Sequence, residues 1–237
     1  MGKFMIIRYS MLDSFLACPV GFKRRYIDKI PDTERSSALE YGTAIHAAIR
    51  EHFEGGDGIE VFKIFWDSLK DTEMIYYRHS WGELRNLAVN SFLPNFFRLH
   101  AKKYSNPKME ETIEIPFLGH TLQGTYDMVS DYEGVLSVSD WKTASKEYPK
   151  DKILKNPQMY LYAELYRSKY GELPKQLIYK VFQKNSASIQ TLKTELTEEK
   201  LAGQLQNVSC IVKNMLHCIE TGSYYHRFDC WCKEETK

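Results

Sequence analysis

Residues 124–143 read GTYDMVSDYEGVLSVSDWKT, and two β-strands with a turn between them are legible in that stretch. Val135, Leu136, Val138 and Trp141 are strand formers, and Asp131 to Gly134 has the composition of a tight turn. Side chains two apart on a strand project to the same face, so Asp140 and Lys142 share one. Asp127, next to the preceding apolar run, brings a second carboxylate towards them. A hard divalent cation would find oxygen ligands there with an ammonium close by. A plain hairpin carrying surface charges fits the same residues, and this stretch alone leaves both readings open.

The rest of the composition narrows the class. With 237 residues and 43% hydrophobic content the chain can bury a full core, which excludes a disordered protein. Its 32 basic and 31 acidic residues leave a formal charge of +1, so no global field attracts a polyanion and any nucleic-acid contact rests on local patches. The apolar run Phe4-Met5-Ile6-Ile7 is too short for a signal segment, and no stretch approaches a membrane span. Five cysteines, with Cys18 far from the others, suit a reducing compartment rather than a disulfide framework. A soluble cytoplasmic protein with no membrane partner is expected.

Walking outward, Ser10 reads as a helix cap with Leu12, Phe15 and Leu16 behind it, and Pro19 starts a further helical turn. Lys23, Arg24 and Arg25 form a basic knot, a solvated face or a phosphate contact. Ala44, Ile45, Ala48, Ile49 and Phe53 give residues 38–53 a helical period, with His46 among them. Residues 59–104 read as two helices whose aromatics belong to a core, with Pro94 kinking or ending the second. The β core is expected from Glu110, beginning with a hairpin turning at Leu118-Gly119. Asn156-Pro157 opens a helix that places Gln158 and Tyr162 on one face, at the positive end of the helix dipole. Strands over residues 176–183 and 188–194 follow, and Thr197 caps a last helix to about Ile219.

Taken in order, Ser10-x-Leu12-x-x-Phe15-x-x-Cys18-Pro19, Gly42-Thr43-Ala44-Ile45-His46, Gly124-x-x-Asp127, Asp140-Trp141-Lys142-Thr143 and Gln158-x-x-x-Tyr162 resemble the RecB-like branch of the PD-(D/E)XK nuclease superfamily. Exonuclease domains of CRISPR adaptation and of the AddB type belong to that branch. The resemblance covers roughly residues 9–182. It implies an α/β (α+β) fold: a restriction-endonuclease-like central mixed sheet flanked by helices, with an N-terminal helical elaboration. The expected organisation is one nuclease domain over residues 1–237 with a helical insertion at about 59–104. It further implies that His46, Asp127, Asp140 and the main-chain carbonyl of Trp141 hold Mg²⁺ or Mn²⁺, that Lys142 is the catalytic lysine, and that Gln158 and Tyr162 flank the site. Glu114 matches an additional acidic residue of the family, in a supporting position. An imidazole ligand favours Mn²⁺.

The activity so implied is a metal-dependent DNA exonuclease or end-processing nuclease of replication, recombination or repair. It would act on DNA with free ends in a bacterial or phage-infected cytoplasm. The alternatives are a catalytically silent DNA-binding or assembly subunit, and a CRISPR-adaptation exonuclease bearing a [4Fe-4S] cluster. For such a cluster Cys18 occupies the family's first position, and Cys230 and Cys232 lie near its last ones. The spacing departs from the family's C-x-x-C, and Cys218 would have to supply the remaining thiolate from an apolar helix face. Inert buried thiols are therefore the expectation, with a zinc site using His226 as a further alternative.

Overall fold

The computed structural model describes residues 4–31 and 34–227. In chain order the elements are β1 (Ile6–Arg8), α1 (Tyr9–Ala17), α2 (Pro19–Phe22), α3 (Ser37–Phe53), α4 (Gly58–Asp67), α5 (Trp81–Leu87), α6 (Leu93–Asn95), β2 (Tyr104–Met109), β3 (Thr112–Phe117), β4 (His120–Thr125), β5 (Met128–Tyr132), β6 (Val135–Ala144), α7 (Lys152–Lys155), α8 (Pro157–Tyr170), β7 (Gln176–Gln183), β8 (Ser188–Glu195) and α9 (Glu198–Thr221). Five strands form a sheet in the order β2-β5-β6-β7-β8. Within this sheet β6 and β7 pair in parallel, with α8 in the crossover between them, and the other neighbours are antiparallel. This is the expected α/β class, a mixed sheet flanked by helices.

Strand alternation decides what lies on each face of that sheet. Val129, Val138, Leu177, Tyr179 and Val181 point to one side, into a core shared with α1, α8 and α9. Met128, Tyr132, Trp141, Ile178 and Phe182 point to the other, where α3 and the helices of residues 58–103 cover them. β7 is buried from Leu177 to Gln183, as a strand covered on both faces must be.

Several local readings change. The hairpin turning at Leu118-Gly119 forms as expected, both turn residues having positive φ, but it belongs to a second, three-stranded sheet of order β1-β4-β3. Ser10 is not a cap: β1 runs directly into α1, so extended Arg8 takes the cap position and Ser10 lies in the first turn. Pro94 does not end its helix: helical structure continues through it, with π-helical turns at Ala88–Phe92 and Phe96–His100 on either side. β2 contains Pro107, which an edge strand accepts at a bulge between Ser105 and Lys108, with Asn106 at φ 51°. Among the described residues no helix is long and apolar enough to cross a membrane.

Candidate active site

The two sheets meet at Asp127. Leaving β4, the chain passes Tyr126 and Asp127 before entering β5, so the carboxylate sits at the seam between the sheets. Gly124, just upstream, lets α8 approach closely: a Cβ there would fall 2.6 Å from Leu165 Cδ1 and 3.3 Å from Tyr162 Cε1. On β6, Asp140 and Lys142 share a face as alternation requires, and Lys142 Nζ lies 2.7 Å from Asp140 Oδ2. The start of α8 is fixed by Asn156, whose side chain accepts the Gln158 N–H at 2.9 Å, with Pro157 in the first turn.

Polar contacts join the expected residues into one constellation. Lys142 Nζ donates to Gln158 Oε1 at 3.0 Å, and Gln158 Nε2 donates to the Tyr162 hydroxyl at 2.8 Å. On the other flank the Trp141 N–H donates to Asp127 Oδ2 at 2.7 Å. His46 Nε2 lies 2.8 Å from the Trp141 carbonyl oxygen, and Nδ1 lies 3.4 Å from Asp127 Oδ1. Burial opposes a charge on His46, but the Asp127 carboxylate outweighs it and lifts the imidazole to about 9, so His46 donates from both nitrogens. Burial raises Asp140 to about 6, although the Lys142 ammonium pulls the other way. Asp127 goes down: burial would raise it, but the His46 charge prevails.

The donor set suits a hard or borderline divalent cation: two carboxylates, a main-chain carbonyl and an imidazole. Asp140 is 1% exposed, and its Oδ2 has no aligned hydrogen bond despite the nearby ammonium. At 2.7 Å the Lys142 ammonium supplies the positive charge that a buried carboxylate oxygen requires, the place a bound cation would share. Among the described residues no three His, Cys, Asp or Glu side chains already close on one point. Instead the donors pair with each other, His46 with Asp127 and Asp140 with Lys142. Cation binding would have to displace the imidazole proton.

Other expected residues lie elsewhere. Glu114 is exposed on β3 and accepts from Gln123 Nε2, on the three-stranded sheet. A different acid reaches the seam: Glu110 donates its N–H to the Asp127 carbonyl at 3.1 Å, and its side chain accepts from Arg50 at 2.6 Å. Arg50 follows His46 by one helical turn, so α3 grips the seam twice. An acid after a strand and an arginine four residues from a histidine gave no local signal for this pairing. Cys18 caps α2, its Sγ accepting from the Gly21 N–H at 3.5 Å and lying 3.9 Å from His226 Nδ1. Cys218, on α9, is buried in the apolar core, as its helical spacing implied. Cys230 and Cys232 lie outside the described residues.

Comparison with known proteins bears on the fold and the family. A candidate exonuclease from Eubacterium rectale superposes with a TM-score of 0.68, over 98% of this chain and 88% of that chain, at 15% sequence identity. The two share a fold. SSO0001 aligns over 81% of this chain and 84% of that chain at 12% identity, with a TM-score of 0.33 that carries no argument. No curated protein matches the sequence. The profile of the PD-(D/E)XK nuclease superfamily matches residues 9–230, a span that holds every site residue described above, and the chain belongs to that superfamily.

Proposed function

We propose that this nuclease is a metal-dependent DNA exonuclease or end-processing enzyme of the RecB-like branch, acting in the cytoplasm in replication, recombination or repair. The observation that carries the reading is the pair of polar runs that meet on consecutive β6 residues: His46 with Asp127 and the Trp141 main chain on one flank, and Asp140 with Lys142, Gln158 and Tyr162 on the other. A silent subunit has no need to keep a buried carboxylate beside a half-buried lysine, since a buried charge destabilises a fold that does not use it. The description of the Eubacterium rectale neighbour as an exonuclease supports the same reading.

His46, Asp127, Asp140 and the Trp141 carbonyl would hold Mg²⁺ or Mn²⁺. When bound, such a cation lowers the pKa of water and polarises a phosphoryl oxygen. Lys142, held by Gln158, presents an ammonium to balance charge developing on the phosphate. Gln158 is oriented at both ends of its amide, by Lys142 and by Tyr162, so it stands fixed as one of the two partners of the lysine, the other being Asp140. α8 directs its N-terminus at the same place, a favourable pole for an anion.

The helices of residues 58–103 pack beside α3 on the His46 side of the sheet and have the length to restrict entry to chain ends. The test is purified protein with Mn²⁺ on end-labelled linear single- and double-stranded DNA, and on covalently closed, nick-free circles of the same sequence. Linear forms should be degraded, circles should resist, and a chelator should stop the reaction. Equal rates on circles would indicate an endonuclease with an open cleft, and no cleavage of any DNA would favour the silent subunit.

A further inference from the structure

Tyr179 stands directly beside Asp140. The two are register partners on the parallel pair β6 and β7, so their side chains leave the same face of the sheet from adjacent strands. Tyr179 is 0% exposed, and its hydroxyl has no hydrogen-bond partner among the described residues. Phenylalanine would fill that place in the apolar core without the penalty of an unsatisfied hydroxyl. Neighbouring Val181 and Leu177 on the same face are wholly apolar and equally buried.

Other buried phenols also lack partners, Tyr41 and Tyr104 among them, but those lie in the core on the opposite face of the sheet. For Tyr41 burial alone perturbs the hydroxyl. Tyr179 differs: after burial, the strongest influence on its phenol is the charge of Asp140, and the Lys142 ammonium lies 5.8 Å from its ring centroid. Both influences of Asp140 and burial keep the phenol protonated, hence a donor. Beside it is Asp140, whose buried Oδ2 has the Lys142 ammonium, at 2.7 Å, as its partner.

We propose that Tyr179 is a positioning residue whose hydroxyl donates to the Asp140 carboxylate when Lys142 turns from that carboxylate towards the substrate phosphate. Lys142 meets two demands, its present ion pair with Asp140 and its expected role at the phosphate. A second donor on β7 lets the lysine leave without abandoning a buried carboxylate. No bond is made or broken in this exchange; one hydrogen-bond donor replaces another. The inference rests on the nuclease reading above, and its test separates the two.

Tyr179→Phe removes one oxygen and nothing else. Cleavage of linear DNA, the Mn²⁺ binding midpoint by calorimetry and the melting temperature are measured for wild type, Tyr179→Phe and Lys142→Ala. The expected result for Tyr179→Phe is kcat lowered about tenfold, the worth of one hydrogen bond to a charged group. KM for DNA should be unchanged, Mn²⁺ binding weaker and the melting temperature equal or higher. Unchanged kcat and Mn²⁺ binding with a raised melting temperature would overturn the proposal, as would kcat and melting temperature falling together with Mn²⁺ binding intact. Should wild type itself fail to cleave while Mn²⁺ binding still separates it from Tyr179→Phe, the nuclease reading falls and the contact with Asp140 stands.

Discussion

Replacing Gly124 with alanine tests whether the close approach of α8 to the seam sets the active-site geometry. The backbone of Gly124 does not adopt positive φ, so alanine is conformationally allowed there. Through the unfolded chain alone the change would stabilise by about 0.4–1 kcal/mol. Sterics oppose this. The new methyl would sit 2.6 Å from Leu165 Cδ1, and Leu165 is 1% exposed, with its neighbours packed around it. The Tyr162 ring, at 3.3 and 3.4 Å, must also give by a few tenths of an ångström. Overpacking of this kind costs about 1–3 kcal/mol, so it wins, and for a chain of this size the melting temperature should fall by up to roughly 10 °C once the unfolded-chain gain is subtracted. Moving Tyr162 moves the amide it orients, and through that amide Lys142; misplacement of this order should lower kcat about tenfold. The assay is a melt and a cleavage rate for Gly124→Ala, Leu165→Ala and the double variant. Leu165→Ala alone should cost about 2–5 kcal/mol through its cavity. In the double variant the added methyl occupies part of that cavity, so the cost should fall short of the sum by about 1 kcal/mol. Full stability and activity for Gly124→Ala, or strict additivity in the double variant, would refute the reasoning.

Asp140→Asn or Lys142→Ala should leave a folded protein, by circular dichroism, with cleavage reduced about a hundredfold or more, because stabilisation of charge at the phosphoryl centre is removed. Wild-type rates for either would detach these residues from the chemistry. His46→Ala should move the Mn²⁺ titration of activity to higher concentration, and an unmoved titration would return His46 to a purely structural pairing with Asp127. Lys180 offers a pH test remote from the carboxylates: it is 0% exposed, hydrogen-bonded to Thr191 Oγ1 at 2.9 Å and the Tyr132 hydroxyl at 3.2 Å. Burial, then the Lys103 charge, lowers it from 10.5 to about 7. The unfolded lysine therefore holds a proton that the folded one sheds across that window, so the stability contributed by this site grows as pH rises from 7 towards 10.5 and is lost as pH falls back. The stability difference between Lys180→Met and wild type should favour the variant most near the low end and shrink towards the high end; a difference flat in pH would be the contrary outcome.

Strand patterning made β5, β6, β7 and β8 legible, because each has enough residues for alternation or a continuous buried run to declare itself. β1 has three residues and no period to read. β2 hides behind Pro107, which marks a turn in local chemistry but is accepted here because the strand lies at an edge and bulges where the proline sits. The assignment of the β3–β4 hairpin to a separate sheet was equally hidden. Nothing in a hairpin's own sequence says which other strand it joins, and its partner β1 lies more than a hundred residues upstream. Ser10 illustrates the reverse error: good capping chemistry at one position yields when a strand pairs up to the residue before the helix.

The site divides along the same line. Asp140 with Lys142, and Gln158 with Tyr162, are pairs fixed by one strand's and one helix's own period, and the structure keeps both pairs on shared faces. Glu110 with Arg50 and Tyr179 with Asp140 depend on pairings between distant segments, which no window of sequence contains. The first of these pairs braces the seam, and the second sets the neighbour of Asp140. Arg50 and Glu110 tie α3 to the seam where Asp127 stands, and β7 sets a phenol next to Asp140. Matching the family's motifs in order therefore locates the groups expected to meet metal and phosphate, whereas the residues restraining those groups follow from register. A variant that keeps every motif residue but shifts the register of β7 against β6 would retain the whole signature and lose the alignment beneath it. A one-residue slip turns Tyr179 to the opposite face and brings Ile178 or Lys180 beside the carboxylate.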